Sequence, residues 1–305
     1  MYDVIIIGGS YAGLAAAMQL GRARRDVLIV DAGQRRNRDV ARAHGILGHD
    51  GESPAAIAAK GKAQVLAYPS ICWRDATISA ARATADGFAV SAGGEDHTAR
   101  RLILATGVVD DVPAILGLRE RWGRTVFPCP YCDGYELDRG KLGVLAAGPV
   151  AAHYACIVAE WSRPGDTTLF LHEGSAPEPA ELAARGIHVE RDRVLEATDA
   201  ASGIELAVQG GRRYELAAVF AAPWTQLPGG FADQLGCEVE VGPTGATYKT
   251  DPRSKETTVA GVFACGDIAL AQTSVSFAIA DGARAGIGAH QSLVFPHEAP
   301  AASRS

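Results

Sequence analysis

The sequence predicts an α/β protein built from two Rossmann-like (three-layer ββα) nucleotide-binding domains, the second inserted in the first. Three observations carry that expectation. Two segments, beginning near residues 3 and 142, each read as a buried strand, a tight turn, a helix and a second strand. A glycine-rich run, Gly8-Gly9-Ser10-Tyr11-Ala12-Gly13, falls at the first of those turns. The length, 305 residues, exceeds one ordinary core and suits two domains.

In chain order, the apolar run 3–7 predicts a strand. Tyr11, Leu14, Ala15, Met18 and Gly21 give 11–22 one small or apolar helical face, and 26–31 predicts the next strand. Segments 71–80, 87–92 and 98–105 read as strands of a β-rich insertion that closes on Ala105-Thr106-Gly107. The second unit follows as strand 142–147, a turn at Gly148-Pro149, helix 150–161 and strand 167–171. Residues 259–264 predict another strand and 274–293 a long helix of small residues, while Glu298 to Ser305 read as a frayed tail. The expected division is 1–115 with 246–305 for one domain and 116–245 for the other.

Composition narrows the partners. A net charge of −6 supplies no basic footprint for nucleic acid. The first residues show no basic segment followed by a cleavage site, and no apolar run reaches the ~20 residues of a bilayer span, so no membrane partner and a cytoplasmic location are expected. In such a compartment six cysteines do not make a disulfide scaffold. Cys72, Cys156, Cys237 and Cys265 are scattered and read as small buried hydrophobes.

The first turn meets the requirements of a dinucleotide site. Close backbone approach at Gly8, Ser10 and Gly13, the helix start at Tyr11 and Ala12, and an acid, Asp31, at the end of the next strand together suit a pyrophosphate and a ribose hydroxyl. Ser10 stands where a second glycine is usual. It is small enough for that position, and its hydroxyl is available to a phosphate.

Cys129 and Cys132 are the single closely spaced thiol pair, in Cys129-Pro130-Tyr131-Cys132-Asp133-Gly134. CxxC spacing suits a small redox-active disulfide loop. A zinc site remains an alternative, although it usually needs a second pair or nearby histidines, and no metal is expected. An inert buried pair is the other alternative.

These motifs, in this order, resemble the low-molecular-weight thioredoxin reductase family over almost the whole chain. The resemblance rests on the glycine-rich turn, Ala105-Thr106-Gly107, the CxxC-Asp-Gly run and Gly261-Val262-Phe263-Ala264-Cys265-Gly266-Asp267. Cys-Pro-Tyr-Cys followed by Asp-Gly-Tyr-Glu is most similar to the flavin-dependent dithiol oxidases that close disulfides in natural products of the gliotoxin, holomycin and romidepsin type. The resemblance implies FAD, held also by Ala105, Thr106, Gly107, Gly266, Asp267 and the helix start at Val275 and Ser276. It further implies that Cys132 exchanges electrons with the flavin, Cys129 meets the substrate, Asp133 is the acid/base, and the protein is a homodimer. The loop Gly45 to Gly51 aligns with a segment that passes near the flavin in that family. His49 and Asp50 are not assigned a catalytic role, and His44 has no role assigned.

The second turn departs from the family. Gly-x-Gly-x-x-Ala is replaced by Ala146-Ala147-Gly148-Pro149-Val150-Ala151, and a basic His-Arg-Arg run by His172-Glu173-Gly174. Proline removes a backbone donor. Arginine contacts to a phosphate contribute about 1.5–3 kcal/mol each, so glutamate in their place opposes NADPH. The expected function is therefore oxidation of a small-molecule dithiol to an intramolecular disulfide, with O2 reduced to H2O2. Alternatives are a disulfide reductase fed by NAD(P)H or ferredoxin, and a non-enzymatic flavin/disulfide redox sensor.

Overall fold

The computed structural model describes residues 1–148, 150–171 and 180–295. The chain divides into two compact units: 1–38, 55–109 and 226 onward form unit 1, while 39–54 and 110–225 form unit 2.

Unit 1 is built on β1 (Tyr2–Ile7), β2 (Val27–Asp31), β3 (Ile71–Asp75), β4 (Ile78–Thr84), β5 (Gly87–Ala92) and β6 (Glu95–Leu104), in the order β3-β2-β1-β6-β5-β4. Val4 to Ile7 and Val27 to Val30 are buried, the continuous apolar signature of parallel strands covered on both faces. The strand Val262–Ala264 pairs in parallel with the end of β6, whose earlier residues pair antiparallel with β5. The predicted strand 71–80 is two strands. β3 joins the parallel sheet beside β2, and the backbone breaks at Ala76, whose N–H donates to the Asp31 carbonyl, before β4 turns into a hairpin with β5.

Helix α1 (Tyr11–Arg22) lies against the helix Val275–Val294. A Cβ at Gly282 would sit 2.0 Å from the Ala12 carbonyl oxygen, and one at Gly286 would sit 2.5 Å from that of Ala16. The small-residue pattern of the C-terminal helix is thus what permits backbone contact with α1.

The chain crosses between units at 109/110 and 225/226, rather than at 115/116 and 245/246. Residues 226–248 stay with unit 1 because Phe231, Leu235, Cys237 and Tyr248 fill its core beside Ile78, Phe88 and Ile268. Unit 2 carries a parallel sheet with strand order 188–190, 167–171, 142–146, 218–221, 126–127, and an antiparallel sheet of 194–200, 203–208 and 213–216. Its nucleotide-type helix is Val150–Ala159, two residues shorter than the predicted 150–161. Pro149, Glu173 and the tail 298–305 lie outside the described residues. No helix among the described residues is long and apolar enough to cross a membrane.

Candidate active site

The residues singled out by the sequence fall into two sets, one in each unit. In unit 1 the glycine-rich turn is a backbone cradle. Gly8 has φ +104, and a Cβ there would meet the Ala105 carbonyl oxygen at 2.3 Å, which places Ala105-Thr106-Gly107 against the turn. A Cβ at Gly13 would lie 1.9 Å from the Gly8 carbonyl oxygen. Ser10 is the N-cap of α1, yet its side chain makes no cap hydrogen bond, so this helix start keeps donors for an anion. The Gly9 N–H donates to Asp31 Oδ1 at 3.0 Å, fixing the acid beside the turn.

Two residues after β2 add to this set without any sequence signal. Asn37 Nδ2 donates to the Tyr11 hydroxyl at 3.2 Å, while Asn37 Oδ1 and Arg35 Nε are buried with no hydrogen-bond partner among the described residues. Buried polar atoms normally find partners, so orphans beside a phosphate-type cradle fit a polar ligand such as FAD.

Gly266 and Asp267 are held by groups the sequence did not flag. The Gly266 N–H donates to Asp281 Oδ2 at 3.0 Å, and Asp281 Oδ1 pairs with Lys255 Nζ at 3.1 Å, both side chains buried. Arg36 Nη1 donates to Asp267 Oδ2 at 2.9 Å and to Thr273 Oγ1 at 3.0 Å. Asp267 therefore already has a cationic partner in place. The helix Val275–Val294 begins one residue later than predicted, capped by Ser274, whose Oγ accepts from the Phe277 N–H at 3.1 Å. Val275 and Ser276 form its first turn.

In unit 2, Cys129 and Cys132 form a disulfide with their Cα atoms 5.3 Å apart. Cys129 is extended and Pro130 opens a short helix (Pro130–Asp133), whose turn brings Cys132 back over Cys129. Gly134 follows because there is no room for a side chain. Its Cβ would meet the Pro130 carbonyl oxygen at 2.5 Å and Trp161 at 2.7 Å, and Trp161 also receives Tyr131 edge-on at 5.0 Å. Tyr131 and Tyr135 are themselves exposed.

Asp133 is half-buried, and its carboxyl is pushed up to about 7, first by burial and then by the nearby Glu136 carboxylate; His44 acts in the opposite sense. A group poised there suits proton transfer at neutral pH. The Tyr154 hydroxyl, whose pKa burial raises, donates to the Pro128 carbonyl at 2.8 Å and braces the chain entering the disulfide.

The raised carboxyl has a stability consequence. Unfolded, Asp133 would ionise near the ordinary carboxyl value of 3.8, so between that pH and about 7 the folded chain binds the extra proton and stability falls as pH rises. Asp133→Asn is expected to be more stable than the parent at pH 8 and equal to it at pH 4. After discounting for water access, about 1–2 kcal/mol, or some 2–4 °C in Tm by calorimetry, should separate them.

The other cysteines are not equivalent. Cys237 and Cys265 are buried, and burial raises both thiols; Cys156 is half-buried. Cys72 is exposed on β3, contrary to its reading as a buried hydrophobe, because alternate residues at that end of the strand face outward. Of the loop residues, His49 pairs with Glu52 at 3.1 Å, Asp50 Oδ1 accepts from the Gly45 N–H at 2.8 Å, and His44 lies 3.4 Å from Glu136.

The pyridine nucleotide-disulphide oxidoreductase family profile matches residues 2–285. Relatives include thioredoxin reductase tcpT of Claviceps purpurea, 32% identical with 93% of this chain and 92% of that one covered. Thioredoxin reductase sirT of Leptosphaeria maculans is 30% identical, with 94% and 93% covered. Among solved structures, an oxidoreductase from Agrobacterium tumefaciens is 48% identical with TM-score 0.91, covering 97% of this chain and 99% of that one. HlmI is 32% identical with TM-score 0.88, covering 96% and 93%. The dinucleotide cradle, the flavin-type closing segments and the CxxC disulfide thus sit in a chain that belongs to the pyridine nucleotide-disulphide oxidoreductase family, is thioredoxin reductase-like, and uses FAD as its cofactor.

Proposed function

We propose that this protein is a dithiol oxidase: it converts a small-molecule dithiol to an intramolecular disulfide and passes the electron pair to O2, giving H2O2. The observation that carries the reading is an intact Cys129–Cys132 disulfide, followed in the chain by the half-buried Asp133 carboxyl that burial raises to about 7, in a chain whose nicotinamide turn has lost its glycine pattern and its basic grip. Ala146 is buried at the end of its strand where a glycine would admit a phosphate, and Pro149 and Glu173 compound the change in sequence.

Gly8, Ser10, Tyr11, Ala12, Gly13, Asp31, Asn37, Ala105 to Gly107, Asp267 and the start of the C-terminal helix are the residues that would hold FAD. Bound there, the flavin supplies an acceptor for two electrons and a donor to oxygen. The rest falls to the side chains. A substrate thiolate attacks Cys129 Sγ, the S–S bond breaks, and Cys132 leaves as a thiolate. The second substrate thiolate then attacks the substrate sulfur of the mixed disulfide, releasing the product disulfide and the Cys129 thiolate. Two protons leave the substrate: the Asp133 carboxylate takes up one and solvent takes the other. The cysteine pair gives up two electrons as its disulfide closes again.

Anaerobic titration of the yellow protein separates donor from acceptor. Dithiothreitol is expected to bleach the flavin and air to restore it, with one H2O2 per dithiol oxidised over many cycles. NADPH and NADH at stoichiometric amounts are expected to leave the colour intact. Rapid bleaching by NADPH at the turnover rate would overturn the reading, and oxidation that stops after one equivalent would mark a redox sensor instead.

A further inference from the structure

The sequence Ala43-His44-Gly45-Ile46-Leu47-Gly48-His49-Asp50-Gly51 holds two histidines, and the fold uses them differently. The loop is closed on itself: Ala43 N–H donates to the Glu52 carbonyl, Gly51 N–H to the Ala43 carbonyl, and Arg42 Nη1 to the Gly51 carbonyl at 3.0 Å. His49 is spent locally on Glu52. His44 is not: its Nδ1 lies 3.4 Å from Glu136 Oε1 and 3.6 Å from Asp50 Oδ1, with the imidazole mostly covered. Glu136 stands three residues after Asp133, in the turn Tyr135–Leu137 that Gly134 allows to fold back. A loop from one part of the chain thus delivers an imidazole to a carboxylate that follows Cys132 of the redox disulfide by four residues.

We propose that His44 and Glu136 are positioning residues of the disulfide site, an opposed pair that sets the pH at which Asp133 exchanges its proton during thiol–disulfide exchange. The proposal rests on Asp133 being the acid/base of the reading above. Beyond burial, the groups that act on Asp133 are Glu136, which raises its carboxyl, and His44, which lowers it. Asp50 faces His44, and Tyr154 is committed to the Pro128 carbonyl. A purely local ion pair would hold the loop shut and leave the proton exchange of Asp133 where it was.

The test is the pH dependence of anaerobic flavin bleaching by dithiothreitol, followed by stopped flow in the holoprotein, together with the Asp133 carboxyl midpoint by carbon-13 NMR. Glu136→Gln is expected to lower both midpoints by about 0.5–1 pH unit, and His44→Gln to raise them by a similar amount. Asp133→Asn should remove the bleaching midpoint. Unmoved midpoints in folded, yellow Glu136→Gln and His44→Gln proteins would overturn the proposal, as would shifts of opposite sign. Failure of the oxidase reading is distinguishable, because it would appear as absent oxygen turnover with this half-reaction intact.

Discussion

Cys132→Ser is expected to lower dithiol-dependent oxygen consumption by at least about 10³-fold while the protein stays folded and yellow. The two sulfurs act as one unit, and removing either member of such a unit costs nearly all of the chemistry. With serine at 132, no disulfide exists for a substrate thiolate to attack, and no second sulfur exists to carry the electron pair onward. The structural cost is small. The disulfide spans a sequence separation of 3, and a loop that short restricts the unfolded chain by only about 2 kcal/mol. FAD retention is expected because the residues assigned to its site, from Gly8 to Ser276, all belong to unit 1, whereas Cys132 belongs to unit 2. Cys129→Ser should be equally inactive. The two variants differ with an aromatic disulfide reagent: Cys132→Ser should trap a mixed disulfide at Cys129, visible as a mass increase, and Cys129→Ser should trap more slowly at Cys132. Residual turnover within tenfold of the parent in either variant would remove the pair from the mechanism.

Gly13→Ala is expected to give a colourless protein with a Tm lowered by several degrees. A methyl at this position would sit 1.9 Å from the Gly8 carbonyl oxygen and 3.4 Å from Ile6, both parts of the packed turn and strand. Neither neighbour is the free end of a flexible chain. The turn must open, and it cannot open without moving Gly8 away from Ala105 and disturbing the start of α1. Overpacking of this kind costs about 1–3 kcal/mol, and here the displaced atoms include the phosphate cradle itself. Ser10→Ala provides the contrast. Its side chain makes no cap bond, so it should fold normally and show only a modest rise in the Kd for FAD. Near-parental absorbance at 450 nm in purified Gly13→Ala would contradict the assignment of the cradle.

The sequence made the sheets and the main motifs legible for a physical reason. Parallel strands covered on both faces are uninterrupted apolar runs, and a phosphate-type turn demands glycine at fixed spacings. What stayed hidden was non-local. Arg36 pairs with Asp267 across 231 positions, and nothing in the periodicity of either segment announces it. Asn37 and Asp281 are polar residues whose importance comes only from the atoms they meet. The break at Ala76 escaped notice because 71–80 contains no glycine or proline to mark it. His44 was visible as a residue but not as a participant, since its partner Glu136 lies in a different stretch of the same unit. The boundary near 226 was misplaced because Phe231, Leu235 and Tyr248 carry no label saying which core they fill.

The grouping of 39–54 with 110–225 bears on how this protein can be taken apart or recombined. A gene segment encoding 110–225 looks like a self-contained cassette, since it holds the redox disulfide, Asp133, Glu136 and two sheets. Moved into another host, it would arrive without His44, which is encoded upstream among the residues of the other unit. Chimeras that exchange the cassette alone should inherit the thiol chemistry with a foreign proton balance. Only those that carry the short upstream loop as well should reproduce the parent's pH response.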